Sequence, residues 1–528
     1  MQRAAFIGPD ALQAQDGEEP HYAGQIIHGS SVSQQICELQ QAYNLPSRAV
    51  QMALFENFFT YCYPWDPTIE RSQIIGVPTE GVSRLLLQAI FLGGSRVSSA
   101  PLSDVTPHDF YLRAKTLFWT NQESNPLVKI IAVSLLHWWN PHGPELVSSD
   151  TSTFWNSIAV NLAVQMGLNS AKRRVPDEAL RRKLWWSIVA RDCLISAAHG
   201  RAQAVDLSHC DVPRPTIRDF PHSSTTGPVF IAYVDLAAIT GRFVKHSIRK
   251  LDTADTSQHL RQWVEALPPS LRLSSLEITQ QHGSINSFNV RQLNVIYYTA
   301  VAMVFRARTS DGPFPTAAVL AGSAIASLFE ELLARDQIRF LNPVYTFYLL
   351  VASIALLSCY RYESMWQTAQ EDLKIISLAQ EEMKKKWPSA IGSIRSYQKM
   401  YSTATKVQTR EQHLPEQVLD KTQAALLGDI QASPCRMWNI IRPILESETK
   451  ISAGNVPINE TQPTARSAVY PTLAGGQQDH SLSSGAQIDE PMGGPDWNTF
   501  LSDAPLDEWQ IDEDLFGGHL FWDELPSG

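Results

Sequence analysis

Cysteine is scarce and scattered in this chain of 528 residues. The six cysteines are Cys37, Cys62, Cys193, Cys210, Cys359 and Cys435, and the closest two are seventeen positions apart. A structural zinc site usually takes its four ligands as closely spaced pairs, which this pattern does not supply. Single cysteines of this kind are typical of small buried hydrophobic residues in a reducing compartment.

Signals for secretion or membrane insertion are also weak. The first residues contain no apolar stretch of the kind that a secretory signal needs. Residues 341–360 form a run of twenty residues without a charge, which is long enough to span a bilayer. Its dense apolar part is only ten residues long, and Asn342 and Pro343 precede that part. We therefore expect a buried helix here and no membrane contact.

The motifs of common enzyme classes are missing. The sequence has no nucleophile elbow, no glycine-rich phosphate loop and no H-E-x-x-H zinc motif. An all-α terpene-cyclase-like enzyme would need clustered carboxylates for Mg²⁺, but the chain contains no Asp-Asp pair. His137 and His142 lie five positions apart across a proline and are interpreted as structural. We expect no catalytic residue, cofactor or metal, so the chain is predicted not to be an enzyme.

The net charge of −10 is concentrated near the C-terminal end. Residues 451–528 contain thirteen acidic residues and one basic residue, Arg466, so this segment carries −12. The remaining residues 1–450 therefore carry +2. A nearly neutral body has no broad positive field that would hold DNA by neutralising phosphates alone.

The middle of the chain is a succession of helical patterns separated by Pro, Gly and Asn/Asp breaks. Alternating strand-like runs are nearly absent, so we predict an all-α, multi-helix domain of stacked helix pairs. The predicted helices cover residues 47–61, 84–92, 107–121, 128–139, 150–167, 177–197, 228–251, 257–267, 286–306, 316–335, 343–361 and 366–386.

Composition divides the chain into four parts. Residues 1–32 are polar and punctuated by Gly and Pro, which predicts a disordered head, and residues 33–446 form the helical domain. Residues 447–495 are rich in Gly, Ser, Thr, Gln and Pro and are predicted to be a disordered linker. Residues 496–528 form an acidic, aromatic-rich segment.

The acidic segment has the composition of a transcriptional activation region. Between Asp496 and Glu524 it holds nine carboxylates and six aromatic residues without Lys or Arg. Mutual repulsion would keep the aromatic side chains exposed and able to dock into shallow coactivator grooves. The alternatives are a solubilising tail or a segment that folds back on the body. The predicted contact residues are Trp497, Phe500, Trp509, Leu515, Phe516, Phe521 and Trp522.

Three basic triplets match the pattern of nuclear-import signals. They are Lys172-Arg173-Arg174, Arg181-Arg182-Lys183 and Lys384-Lys385-Lys386. Such triplets are more often solvated helix faces or loops, and this second interpretation is favoured here.

Residues 84–220 contain two distinctive pieces, LLLQAIFLGGS, interpreted as a leading helix followed by a small glycine turn, and LRRKLWWSIVARDCLISAAHGRA. With these pieces the segment resembles the middle homology region of fungal zinc-cluster transcription factors, with the cutinase regulators as the nearest subgroup. A weaker likeness extends over about 45–400. The most specific marker residues are expected to be structural, with Asp192 pairing with an arginine and Gly200 ending the helix: Arg181, Arg182, Leu184, Trp185, Trp186, Asp192, Gly200 and Arg201.

The resemblance implies a nuclear regulator of a metabolic or secondary-metabolite gene set, with a helical body that senses a small molecule. It also implies an N-terminal DNA reader in which six cysteines hold zinc, and this sequence contains no such cluster. Zinc is therefore expected only with that missing domain. The chain is interpreted as an incomplete gene model, a natural short form, or a regulator that reaches DNA through a partner.

Two further hypotheses stay open beside this one. A dimerising module could repress or titrate a related full-length zinc-cluster factor, as a homodimer or heterodimer through its body. An all-α biosynthetic enzyme is less favoured, because the sequence contains no recognisable set of catalytic residues. Under the first hypothesis the partners are the transcription machinery or a coactivator, bound through the acidic tail.

Overall fold

The architecture of the chain is all-α, as predicted. The computed structural model describes residues 31–77, 81–99, 105–143, 146–172, 177–221, 225–251, 254–274, 285–306, 314–404, 419–428 and 435–443, and no strand occurs among them. The proposed head up to residue 30, the whole linker and the whole acidic segment lie outside the described residues, whereas Ser31 and Val32, predicted to belong to the disordered head, are the first residues of a helix.

The first half of the body is built from helices that begin at residues suited to capping. Thr106 forms a capping box with Asp109, and Asn125 accepts hydrogen bonds from the backbone of α5. Helices α1 to α8 are Ser31–Leu39, Arg48–Asn57, Arg84–Arg96, Pro107–Trp119, Pro126–Leu135, Ser152–Met166, Glu178–His199 and Thr226–Ile248.

The second half continues with helices of similar length, followed by short C-terminal elements. Helices α9 to α15 are Ala254–Ala266, Ile285–Val304, Thr316–Ala334, Tyr345–Leu357, Glu363–Lys386, Ala390–Ala404 and Lys421–Leu426. Residues 436–443 are also helical. A π-helical turn, Phe58–Cys62, and a 3-10 turn, Tyr63–Trp65, extend α2 towards the centre of the body.

Helices that follow one another in the chain pack against one another. The packing runs from α2 and α3 through α5, α6 and α7 to α8, and then through α10 and α11 to α12, α13 and α14. One large hydrophobic core extends from Cys37 to Ile441. Helix α8 therefore joins the two halves, because it lies against α7 on one side and α10 on the other.

Among the described residues, two helices are long and apolar enough to cross a membrane by length and composition, namely Thr226–Ile248 and Thr316–Ala334. They are α8 and α11, and they pack against neighbouring helices within the core. The charge-free segment at 341–360 is the shorter helix α12 with a 3-10 extension, and Tyr345, Leu349 and Leu356 are buried. It is a buried core helix, as expected.

The predicted helices are all present, with one error in the interpretation of α3. The expected glycine turn after residue 92 does not exist, because α3 continues through Gly93 and Gly94 to Arg96. A Cβ atom at Gly93 would lie 3.1 Å from the Phe58 ring, and one at Gly94 would collide with the carbonyl oxygen of Leu54. The two glycines allow α2 and α3 to approach closely.

Replacing Gly94 by alanine should lower the free energy of unfolding by about 1–3 kcal/mol, the usual range for overpacking a core. The reason is steric, since the new methyl group meets backbone atoms of α2 that have no rotamer with which to move aside. Chemical denaturation of the Gly94→Ala chain measures the change. Gly428→Ala is the control, because nothing lies within 4 Å of a Cβ at that position. Equal stability of the two variants would contradict this account of α3.

Candidate functional site

Helix α7 carries the residues that the sequence analysis selected as markers. It begins after Asp177, whose carboxylate accepts a hydrogen bond from the backbone N–H of Leu180. It ends at Gly200, which has a φ of +59° and so ends the helix as predicted. Leu184 is fully buried, whereas Arg201 is exposed.

The basic triplet at the start of α7 is held by carboxylates from distant parts of the chain. Arg182 donates from Nε and Nη2 to Asp219, and Lys183 Nζ lies 2.7 Å from Glu70 Oε1. Arg181 pairs with Glu178 and donates to the carbonyl oxygen of Ser170 at 2.9 Å. Only 3% of Arg181 and 5% of Lys183 is exposed, so the interpretation of this triplet as a solvated face was wrong.

The two tryptophans of the marker hold residues 204–220, which we call the strap, against α7. Trp185 Nε1 donates to Cys210 Sγ at 3.1 Å, and Trp186 Nε1 donates to the carbonyl oxygen of Pro213 at 2.9 Å. The guanidinium group of Arg214 lies 4.7 Å from the centre of the Trp186 ring. Both indoles are buried.

Asp192 fixes the start of the strap. Its carboxylate accepts hydrogen bonds from the backbone N–H groups of Ala204 and Val205, at 3.2 and 2.9 Å. Sequence analysis expected an arginine partner, and these two backbone donors take that place instead. Burial raises the pKa of Asp192 to about 6, although the two hydrogen bonds act in the opposite direction.

The neighbouring residue Arg191 forms a buried ion pair that the sequence analysis missed. Its Nη2 atom lies 2.6 Å from Asp66 Oδ2, and its Nη1 atom donates to the carbonyl oxygen of Ser134 at 2.9 Å. The side chains of Arg191 and Asp66 are 8% and 2% exposed. This pair connects α7 with α5 and with the residue that follows Trp65.

A second set of ion pairs, in which only Asp372 is fully buried, attaches the last described residues to the body. Arg436 lies 2.6 Å from Glu330 of α11 and 3.1 Å from Asp372 of α13. The backbone N–H of Met437 donates to Ser323 Oγ at 3.2 Å, and the Met437 side chain is fully buried. Residues 435–443 therefore form a C-terminal anchor, beyond which lies the segment leading to the acidic tail.

The remaining candidate residues do not assemble into a metal site among the described residues. Burial, with a contribution from Arg191, lowers the pKa of His137 well below its usual value. Lys384 and Lys385 pair with glutamates one turn earlier, and Lys386 donates to the carbonyl oxygens of Arg96, Ser98 and Arg339.

Two groups of predicted residues lie outside the described parts of the chain. One is the pair Arg173 and Arg174 of the first basic triplet. The other is the set of activation contacts: Trp497, Phe500, Trp509, Leu515, Phe516, Phe521 and Trp522.

The all-α body and its marker helix α7 can be compared with known proteins. Residues 55–251 match the model of the fungal specific transcription factor domain. These residues are therefore similar to the domain of the family that the sequence analysis named, and they make up less than half of the chain.

Individual relatives show the same likeness. The chain is 26% identical to cutinase transcription factor 1 alpha of Fusarium vanettenii, over 82% of this chain and 55% of the relative. It is 27% identical to the acetamidase regulatory protein of Aspergillus oryzae, over 57% of this chain and 42% of the relative. The chain thus spans about half the length of the curated relatives it matches. No solved structure matches it.

Replacing Arg182 by methionine should destabilise the body by about 3 kcal/mol, because the carboxylate of Asp219, only 2% exposed, would lose its counter-charge. Urea denaturation of Arg182→Met measures the loss. Lys385→Met is the matched control, since Lys385 is 67% exposed and its pair with Glu382 should contribute under about 0.5 kcal/mol. Similar losses of stability in both variants would contradict a stabilising role for the ion pair between Arg182 and Asp219.

The pKa of Asp192 gives a pH dependence with a defined sign. In the unfolded chain a free Asp has a pKa of about 3.9, so between pH 4 and 6 the folded protein holds a proton that the unfolded chain releases. Stability should therefore fall as pH rises through this window, by up to about 3 kcal/mol relative to Asp192→Asn. Denaturation of both chains at pH 4, 5, 6 and 7 tests this, and parallel profiles would contradict it.

Proposed function

We propose that this chain regulates transcription of a metabolic or secondary-metabolite gene set in the nucleus, through its helical body and its acidic tail. The match of residues 55–251 to the family domain carries the proposal. The names of two relatives, a cutinase transcription factor and an acetamidase regulatory protein, support a metabolic gene set.

The tail is proposed to be the activating part. Within Asp496 to Glu524 the carboxylates keep one another apart, and the aromatic side chains remain available to a coactivator. Ile511 and Leu515 are four positions apart, and Trp509 and Phe516 are seven apart. A short helix that formed on contact would place Ile511 and Leu515 on one side, and Trp509 and Phe516 on the nearly opposite side, so either pair could dock.

The C-terminal anchor supports separate roles for the two parts, with the body joining a DNA-bound assembly and the tail binding a coactivator. Arg436 and Met437 hold residues 435–443 against α11 and α13. The linker that carries the tail would therefore start from a fixed point on the body. Through it, the acidic residues and their bound coactivator would stay connected to the DNA-bound assembly that the body joins.

DNA contact is proposed to come from outside the body. Residues 1–450 carry a net charge of only +2, and the basic residues Arg181, Arg182 and Lys183 are engaged in ion pairs. Phosphate neutralisation by this surface would be weak. We propose that a zinc-cluster domain, either joined to this body or carried by a partner, reads the target sequence.

A reporter experiment tests the activating role of the tail. Residues 490–528 fused to a foreign DNA-binding domain should raise reporter expression, because the segment carries both the acidic and the aromatic components. The matched control replaces Trp509, Phe516 and Trp522 by alanine, which keeps every carboxylate, and this variant should lose most of the activity. Silence of the parent fusion at equal protein level, or full activity of the alanine variant, would refute the mechanism.

A further inference from the structure

Helix α1 turns apolar side chains away from the body. Fourteen large apolar side chains are exposed among the described residues, and four of them lie between residues 32 and 43. They are Val32, Ile36, Leu39 and Tyr43, and Leu39 is the most exposed of the four, at 83%. We call these four residues the α1 stripe. A single exposed apolar side chain is ordinary, but several side by side indicate a surface that a partner covers.

The opposite contacts of α1 fix the position of this helix on the body. Cys37 is the one buried residue of α1, and its Sγ atom lies 3.2 Å from Thr120 Oγ1 at the end of α4. Just after α1, the side-chain amide of Gln88 on α3 donates to the carbonyl oxygens of Ala42 and Asn44, at 3.1 and 2.8 Å. The α1 stripe could therefore turn towards the body only if these contacts were broken.

The spacing of the α1 stripe is the spacing found between two paired helices. Its members follow one another at intervals of four, three and four residues. Alternating intervals of three and four place side chains along one line of a helix, and a second helix can cover that line. Val32, Ile36 and Leu39 belong to α1 itself, and Tyr43 lies in the turn that follows. A helix is therefore the shape of partner that the stripe fits.

The polar residues of α1 favour an identical helix as that partner. Glu38 is the only charged residue of α1, and it lies away from the stripe, where Gln34 Nε2 donates to its carboxylate at 3.3 Å. Gln35 and Gln40 flank the stripe, one on each side, and both are exposed. An amide both donates and accepts hydrogen bonds, so identical glutamines can pair across a two-fold axis, whereas identical charges would repel each other.

The acidic tail of the same chain suits this surface less well. Helix α1 contains no Lys or Arg. The nine carboxylates between Asp496 and Glu524 would therefore meet Glu38 and no cation of this helix. Juxtaposed like charges weaken an interface, so charge selects a second copy of α1 over the tail as the group that covers the stripe.

Trp119 adds a large aromatic side chain next to α1. It is the last residue of α4, directly before Thr120, and it is 58% exposed. Its ring centre lies 4.9 Å from that of Phe118 and 6.3 Å from that of the buried Trp155, so the indole rests on an ordered base. Tryptophan is enriched among the residues that contribute most to binding at interfaces. The stripe and Trp119 are few beside the roughly 20–30 residues of a standard interface, which predicts a reversible pairing.

We propose that the α1 stripe and Trp119 bind the same surface of a second copy of this chain, related by a two-fold axis that passes beside Ile36. Ile36 is the middle apolar residue of α1, so it would face its counterpart in the second copy, with Val32 and Leu39 on either side. Two bodies joined in this way would bring two acidic tails into one assembly. The inference does not depend on the activating role of the tail, which the reporter fusion of residues 490–528 tests without α1.

Sedimentation velocity of the purified full-length chain tests the proposal. The chain should change from monomer to dimer as its concentration rises. Leu39→Lys should raise the dissociation constant at least about tenfold, because it places like charges within the apolar contact. Leu378→Lys is the matched control: Leu378 is an exposed leucine of α13, 61% exposed, and its replacement should leave dimerisation unchanged. A chain that stays monomeric at every concentration, or a Leu39→Lys variant that dimerises like its parent, would overturn the proposal.

Cross-linking tests the position of the two-fold axis without a change of charge. Ile36→Cys should give a covalent dimer with a short bis-maleimide, because the two new thiols would lie next to each other. The native Cys37 is buried on another side of α1, so the unmodified chain should not be joined there. Leu378→Cys provides an exposed thiol outside the proposed surface and measures joining by random collision. Equal rates of cross-linking for Ile36→Cys and Leu378→Cys would contradict the proposed pairing of α1.

Discussion

The ion pair between Arg191 and Asp66 determines how α7 sits in the body. Both side chains are almost completely buried, and α7 also carries Arg181 and Lys183 into the interior. Separating a buried cation from its carboxylate costs more than the pair contributes when intact, because the remaining charge is left without solvent. Any shift of α7 along its axis would leave several buried charges without partners at once, so the position of α7 along its axis is strongly specified.

The strap and the α7–α8 contact depend on that register. Asp192 follows Arg191 directly, and it can reach the N–H groups of Ala204 and Val205 only if Arg191 faces Asp66. On the neighbouring helix, a Cβ at Gly241 would lie 2.6 Å from Cys193 Sγ, so α8 approaches α7 at a position that admits no side chain. The marker residues are therefore one structural unit.

Local signals explain why most of the fold could be predicted from the sequence. Apolar periodicity and Gly200 after α7 act within a few residues, so they located helices correctly. The cap Asn125 before Pro126 is a local signal of the same kind that the prediction did not use, and the predicted helix therefore began two residues late, at 128. Ion pairs between residues far apart in the chain could not be predicted from such local signals. Lys183 pairs with Glu70, 113 positions away, and Arg191 pairs with Asp66, 125 positions away. One usable signal was overlooked, since α7 is apolar around most of its circumference and its charges must therefore be buried.

Desolvation also explains why the anchors of α7 stabilise one arrangement of distant segments. Around Arg182 and Lys183 each buried charge has a partner. Glu70 precedes α7 in the chain and Asp219 follows it, so the two ion pairs bring segments from both sides of the helix onto the same turn. Loss of either carboxylate would leave a largely buried cation of α7 without a counter-charge, and for that reason the three segments are stable only together.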